Sequence, residues 1–176
     1  MNKLLNVFFW TIAVLLLCLV VLKLFTGTLN EDMESEAKAG DLEVNVKYNS
    51  ISMGKRKVFG YTVPYDIVWR TGSDEVTEIG FSKDCTFGGK RVKAGTYSLW
   101  SIPSEKNWTI ILNKETGQYG TNYNQEKDYL RTLVKPQMLT TRLDDLRINT
   151  IRKNENISLL IRLENTEVEV EIGEKL

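Results

Sequence analysis

Leu42-Glu43-Val44-Asn45-Val46-Lys47-Tyr48 alternates apolar and polar residues without a break. Successive side chains of a strand point to opposite faces, so this period of two predicts a half-buried β-strand. Further strands are expected at Glu75–Phe81, Gly95–Ile102, Trp108–Asn113, Tyr129–Val134, Leu146–Thr150, Asn156–Leu163 and Thr166–Ile172. In the last two, Ile157, Leu159, Ile161 and Leu163, then Val168, Val170 and Ile172, keep strict alternation. Asn165 falls between them, which predicts a hairpin turn there. Phe87-Gly88-Gly89-Lys90 is a second hairpin signal, because glycine accepts positive φ at little steric cost. Lys114-Glu115-Thr116-Gly117 has turn composition, and a brief helical turn is expected near Asn124–Lys127. Many short strands at this spacing predict an all-β fold, an antiparallel sandwich or barrel-like domain over residues 42–176.

Upstream the pattern changes. Leu4 to Leu22 contains no charged residue and is closed by Lys23. A bilayer core requires about 20 apolar residues in a helix. The run is longer than the apolar region of a cleaved signal peptide, and Leu24-Phe25-Thr26-Gly27-Thr28 offers no small-residue cleavage site. Residues 1–25 are therefore expected to form one transmembrane helix, contacting the membrane through residues 4–24. Lys3 and the terminal amine precede the span, favouring an extracytoplasmic, periplasmic C-terminal domain attached to the cell membrane. Residues 26–41, small, acidic and glycine-punctuated, read as a flexible tether.

Composition excludes several functions. Without Lys3 and Lys23, 21 basic residues face 23 acidic ones, since every Asp and Glu lies after residue 30. A domain so near neutrality is expected to have no basic footprint for nucleic acid and no polybasic patch for anionic lipid. Histidine is absent, which removes the commonest general base and nearly every zinc site. No cofactor and no metal site is expected. Cys18 and Cys85 lie on either side of the membrane boundary and cannot pair. Cys85, between Phe81 and Phe87, reads as a small buried hydrophobe.

The densest chemical constellation runs from Val63 to Glu75. Tyr65 and Trp69 offer flat rings with polar edges, and Arg70 offers a rigid donor fork for a carboxylate, phosphate or sugar hydroxyl. Glu75 supplies a carboxylate. The structural alternative pairs Arg70 with Asp74 or Glu75 across the turn while Trp69 fills the core. Gly95–Pro103 adds Tyr97 and Trp100 on opposite faces of one strand, either of which could be plain core. The loop Gly117–Asn124, rich in tyrosine, amide and glycine, suits a binding surface or an ordinary solvated loop. The candidate ligand-binding set is thus Tyr65, Trp69, Arg70, Glu75, Tyr97 and Trp100, with no catalytic residue assigned.

Lys55-Arg56-Lys57-Val58-Phe59-Gly60, Val63-Pro64-Tyr65 and Val68-Trp69-Arg70-Thr71-Gly72 resemble the bacterial family known as domain of unknown function 2911. So do Ala94-Gly95-Thr96-Tyr97-Ser98-Leu99, Ile102-Pro103, Trp108–Asn113 and Val134-Lys135-Pro136. The resemblance covers roughly residues 42–172 and implies a β-rich envelope domain with no established activity. Two departures stand out. The acidic segment replaces an extra strand with which members usually begin, and Tyr48-Asn49-Ser50-Ile51 stands where they commonly carry Tyr-Ser-Arg-Pro. The resulting expectation is a non-enzymatic module binding a glycan or another envelope component. The alternatives are a carboxylate-based hydrolase, since histidine chemistry is unavailable, and a structural partner of another membrane protein.

Overall fold

A computed structural model describes the backbone of residues 2–27 and 30–174, and the side chains of residues 7–22 and 32–174. The uncharged N-terminal run forms α1 (Asn2–Gly27), and its apolar side chains from Val7 to Leu22 are exposed. Among the described residues no helix is long and apolar enough to cross a membrane. A helix is therefore established at the N-terminus, and a membrane span is not.

Ten strands follow: β1 (Asn30–Ala39), β2 (Leu42–Ile51), β3 (Thr77–Phe81), β4 (Cys85–Phe87), β5 (Lys90–Val92), β6 (Gly95–Ile102), β7 (Trp108–Asn113), β8 (Asp128–Val134), β9 (Gln137–Lys153) and β10 (Asn156–Glu174). They build two antiparallel sheets, one ordered β1-β2-β3-β6-β7-β8 and the other β5-β4-β10-β9. Leu42, Val44, Val46 and Tyr48 of β2 face the same core as Ile157, Leu159, Ile161 and Leu163 of β10. The mostly β, sandwich-like architecture expected from the alternation is what forms. Phe87–Lys90 closes the β4–β5 hairpin with Gly88 and Gly89 at positive φ, and a single 3-10 turn at Gln125–Lys127 is capped by the Asn124 side chain.

Two expectations are corrected. Residues 30–39 are not a tether: they form β1, paired with β2 from Asn30↔Ile51 to Ala39↔Leu42. Apolar alternation could not reveal this strand, because it is an edge whose inward contacts need only Ala37, Ala39 and Ser35. Charge on an outer strand also discourages pairing with other chains. The second correction concerns Asn165, which is not in a turn. β10 runs unbroken from Asn156 to Glu174, with register irregularities on either side of Glu164. Core-facing residues are odd-numbered through Leu163 and even-numbered from Val168. A change of parity fits either a turn or an irregular strand. Here the strand continues and Glu164 absorbs the shift, at φ +53°.

β6 and β7 are covered on both faces. One face joins the main core; on the other, Val76, Trp100 and Ile111 form a second cluster with Val68, Ile102 and Tyr123. Residues 68–76 and the loop after β7 supply that cover. Cys85 is fully buried, and burial pushes its thiol up to about 12, which leaves it a protonated packing group.

Candidate ligand pocket

The chain between β2 and β3 leaves the sheet and folds back over the end of the sandwich. Glu164 holds it there. The Glu164 carboxylate accepts from the Val58 amide (2.9 Å) and the Phe59 amide (3.4 Å), and from Arg142 Nη1 at 2.9 Å. Arg142 Nη2 donates in turn to the carbonyls of Gly54 and Arg56. Burial pushes the Glu164 carboxyl up, but the Val58 amide, Arg142 and the Phe59 amide outweigh it and hold the group below the ordinary glutamate value. One strained residue of β10 thus fixes where Phe59 stands.

Phe59 stacks on Tyr65 (6.0 Å between centroids, 17° between planes) and meets Trp108 edge-on at 5.5 Å. Together with Ser104, Glu105, Pro136, Met138 and Thr166, these rings line a cavity of about 220 Å³. Trp108 is buried and Tyr65 half-buried, so the cavity has an apolar aromatic wall and a polar rim. Burial, then Glu105 and Glu164, raise the Tyr65 phenol, which stays a neutral hydrogen-bonding group.

The six candidate residues do not converge. Trp69 lies in the main core, its Nε1 donating to the Gly72 carbonyl at 3.1 Å and its ring edge-on to Trp108. Tyr97 is in the same core, its hydroxyl donating to the Lys93 carbonyl and its ring 5.0 Å from Tyr129. Trp100 is 1% exposed on the other face of the sheet, donating to Ser98 Oγ at 2.9 Å and packing on Tyr123. None of these three presents a ring face to solvent. Arg70 Nη1 donates to the Gly120 carbonyl at 3.3 Å, and its buried Nε finds no hydrogen-bond partner among the described residues. A Cβ at Gly120 would lie 2.5 Å from Arg70 Nη1, so a side chain there would displace the guanidinium. Glu75 is exposed and lines a separate groove of about 350 Å³ with Asp32, Glu34, Lys47, Asn49 and Glu78. Of the set, Tyr65 alone lines the aromatic pocket.

Sequence reasoning overlooked Phe59, Ser104, Glu105, Met138 and Thr166. Phe59 lies six residues before Tyr65, but only the excursion after β2 brings it to the start of β7. The Gly117–Asn124 loop is structural in part: Tyr123 and Arg131 meet on the Asp128 carboxylate, at 2.7 and 2.8 Å. Among the described residues no three His, Cys, Asp or Glu side chains are grouped as a metal site.

Residues 31–172 match the model of the family described as protein of unknown function DUF2911, and the chain belongs to that family. The match takes in β1, the segment that had seemed a departure from it. No curated protein and no solved structure matches the chain.

Proposed function

We propose that this member of the family is a membrane-tethered, non-enzymatic binding module whose pocket at Phe59, Tyr65 and Trp108 takes a glycan of the cell envelope. The anchor is residues 4–24, and the β-domain lies on the extracytoplasmic side. Supporting the anchor are the uncharged run from Leu4 to Leu22 and its exposed apolar side chains on α1.

The observation that carries the ligand assignment is the stacked Phe59–Tyr65 pair beside Trp108, with Ser104, Glu105 and Thr166 at the rim. A sugar ring has an apolar face that packs on aromatic carbon and hydroxyls that need directed partners. The cavity is small for an extended ligand and suits a single ring. Glu105 is the one carboxylate among its described lining residues, so the paired acid and base of a glycoside hydrolase have no place in it.

Titrating the full chain with envelope glycans tests this. Tryptophan emission should change saturably, and Tyr65→Ala should weaken binding about tenfold or more, the effect of losing one stacking face. No response across a broad panel, or an unchanged response in Tyr65→Ala, would overturn the assignment. The anchor has its own test. Retention in vesicles through an alkaline carbonate wash supports it, and recovery of a mature product starting beyond Phe25 refutes it.

A further inference from the structure

The end of the sandwich at which β1 begins differs from the opposite end in a way that a charge count along the chain conceals. Gly27 ends α1 and Asn30 begins β1, so the strand starts no more than roughly 11 Å from the helix. Asn30 is paired with Ile51, and Lys55, Arg56 and Lys57 follow four to six residues later. The same end holds the β6–β7 connection with Lys106, and the β8–β9 connection with Lys135, because Ile102 pairs with Thr109 and Trp108 with Val134. The cavity confirms the convergence: Phe59, Tyr65, Glu105 and Pro136 all line it.

Five cations thus stand within residues 52–69, 103–107 and 135–138, against two acids in those segments, Asp66 and Glu105, with Asp32 of β1 and Asp144 and Asp145 of β9 at their border. Among the described residues, Lys55, Arg56, Lys106 and Lys135 form no ion pair, and Lys57 lies over the Tyr61 ring, 5.4 Å from its centroid. Beside them stand exposed apolar side chains: Tyr61 at 74%, Ile67 at 57% and Met138 at 79%, with Leu133 near the end of β8 at 70%. At the opposite end Lys38, Lys83 and Lys93 are paired with Glu43, Asp41 and Asp84, while Lys114 lies over the Tyr129 ring and, among the described residues, Lys127 forms no ion pair.

Unpaired cations around protruding aromatic and aliphatic side chains are the composition of a surface that sits in the headgroup layer. We propose that this end of the domain docks flat on the anionic bilayer in which α1 is anchored, with Tyr61, Ile67 and Met138 entering the interface. Lys55, Arg56, Lys57, Lys106 and Lys135 face lipid phosphates. The aromatic pocket then opens at the membrane surface, and its ligand is the sugar portion of a membrane-embedded glycolipid rather than a free saccharide. This rests on the anchor and on the pocket assignment above.

The test is hydrogen–deuterium exchange on the full chain in nanodiscs, zwitterionic or containing phosphatidylglycerol. Anionic discs should slow exchange across residues 55–67 and 135–138 about fivefold or more, the factor that one surface cation contributes. The Gly40–Asp41 turn at the other end should not change. The triple variant Lys55→Glu, Arg56→Glu, Lys57→Glu should lose the protection, since these side chains are exposed and make no internal ion pair. Equal exchange in both disc types, or protection of the Gly40–Asp41 end instead, would overturn the docking. Because every arm uses chain that has survived a carbonate wash, loss of the anchor and loss of the docking are separate results. Glycan binding that persists in detergent without docking would leave the pocket assignment standing and remove this one.

Discussion

Trp100 and Trp108 stand on neighbouring strands of one sheet and have opposite surroundings. Trp100 is sealed on the outer face by Tyr123, Val76 and Ile111, and its indole N–H is satisfied by Ser98. Trp108 is equally buried, yet the Phe59 and Tyr65 rings that cover it leave a cavity open to solvent. The sheet is the same in both places; the covering chain differs. Residues 68–76 return to the sheet through paired backbone bonds, as in Trp69 with Ser101. Residues 54–59 instead hang on two side chains of the other sheet, Glu164 and Arg142. The lesson is that a residue type rich in binding potential says little until its cover is known.

The largest expected effect lies on the sealed side. Trp100→Ala should cost about 3–5 kcal/mol in denaturant unfolding, the range for deleting a buried aromatic that its surroundings cannot replace. A loss under about 1 kcal/mol would show that this cluster is not a second core. On the open side, Glu164→Ala should cost about 2–3 kcal/mol, because the buried amides of Val58 and Phe59 lose their acceptor. Amide exchange at residues 54–59 should rise more than exchange in the β6–β7 ladder. Equal acceleration in both regions would abolish the contrast.

Acid should act in the same direction as that substitution. Glu164 has a folded-state pKa held below the ordinary glutamate value. Its stabilising contribution is therefore present above the unfolded value and is lost as pH falls through the folded one. Protection of the Val58 and Phe59 amides, relative to their intrinsic exchange, should fall as pH drops through that folded value, and Glu164→Gln should flatten that dependence. The smallest stability effect belongs to Tyr65→Ala. This half-buried ring should cost only about 1 kcal/mol, while glycan binding weakens about tenfold or more. A loss as large as that of Trp100→Ala would assign Tyr65 to the core.

Much of the fold was legible because a sheet with one inward face writes its burial as alternation. The strands at Gly95–Ile102 and Trp108–Asn113 stand at their expected limits. β1 left no such mark, since an acidic edge strand buries little besides two alanines. The continuity of β10 was hidden because parity changes at a turn and at an irregularity alike. For the pocket, legibility was poorer for a physical reason. Tyr65 was visible as an aromatic beside polar residues, and so were Trp69, Tyr97 and Trp100, which are interior. Aromatic side chains serve core and ligand equally well, and only the path of residues 52–69 separates the two uses. Glu164 was invisible as a clamp, because its partners lie more than a hundred positions away at Val58 and Phe59.

The two tryptophans also provide the sharpest test of where ligand binds. Indole N–H signals of Trp108 and Trp100 in the isotopically labelled full chain should respond differently to a bound envelope glycan. The expected result is a saturable shift at Trp108 and the Met138 methyl, with Trp100 unmoved. A shift confined to Trp100, or one centred on Lys47, Asn49 and Glu75 in the groove beside β1, would contradict the placement of the site.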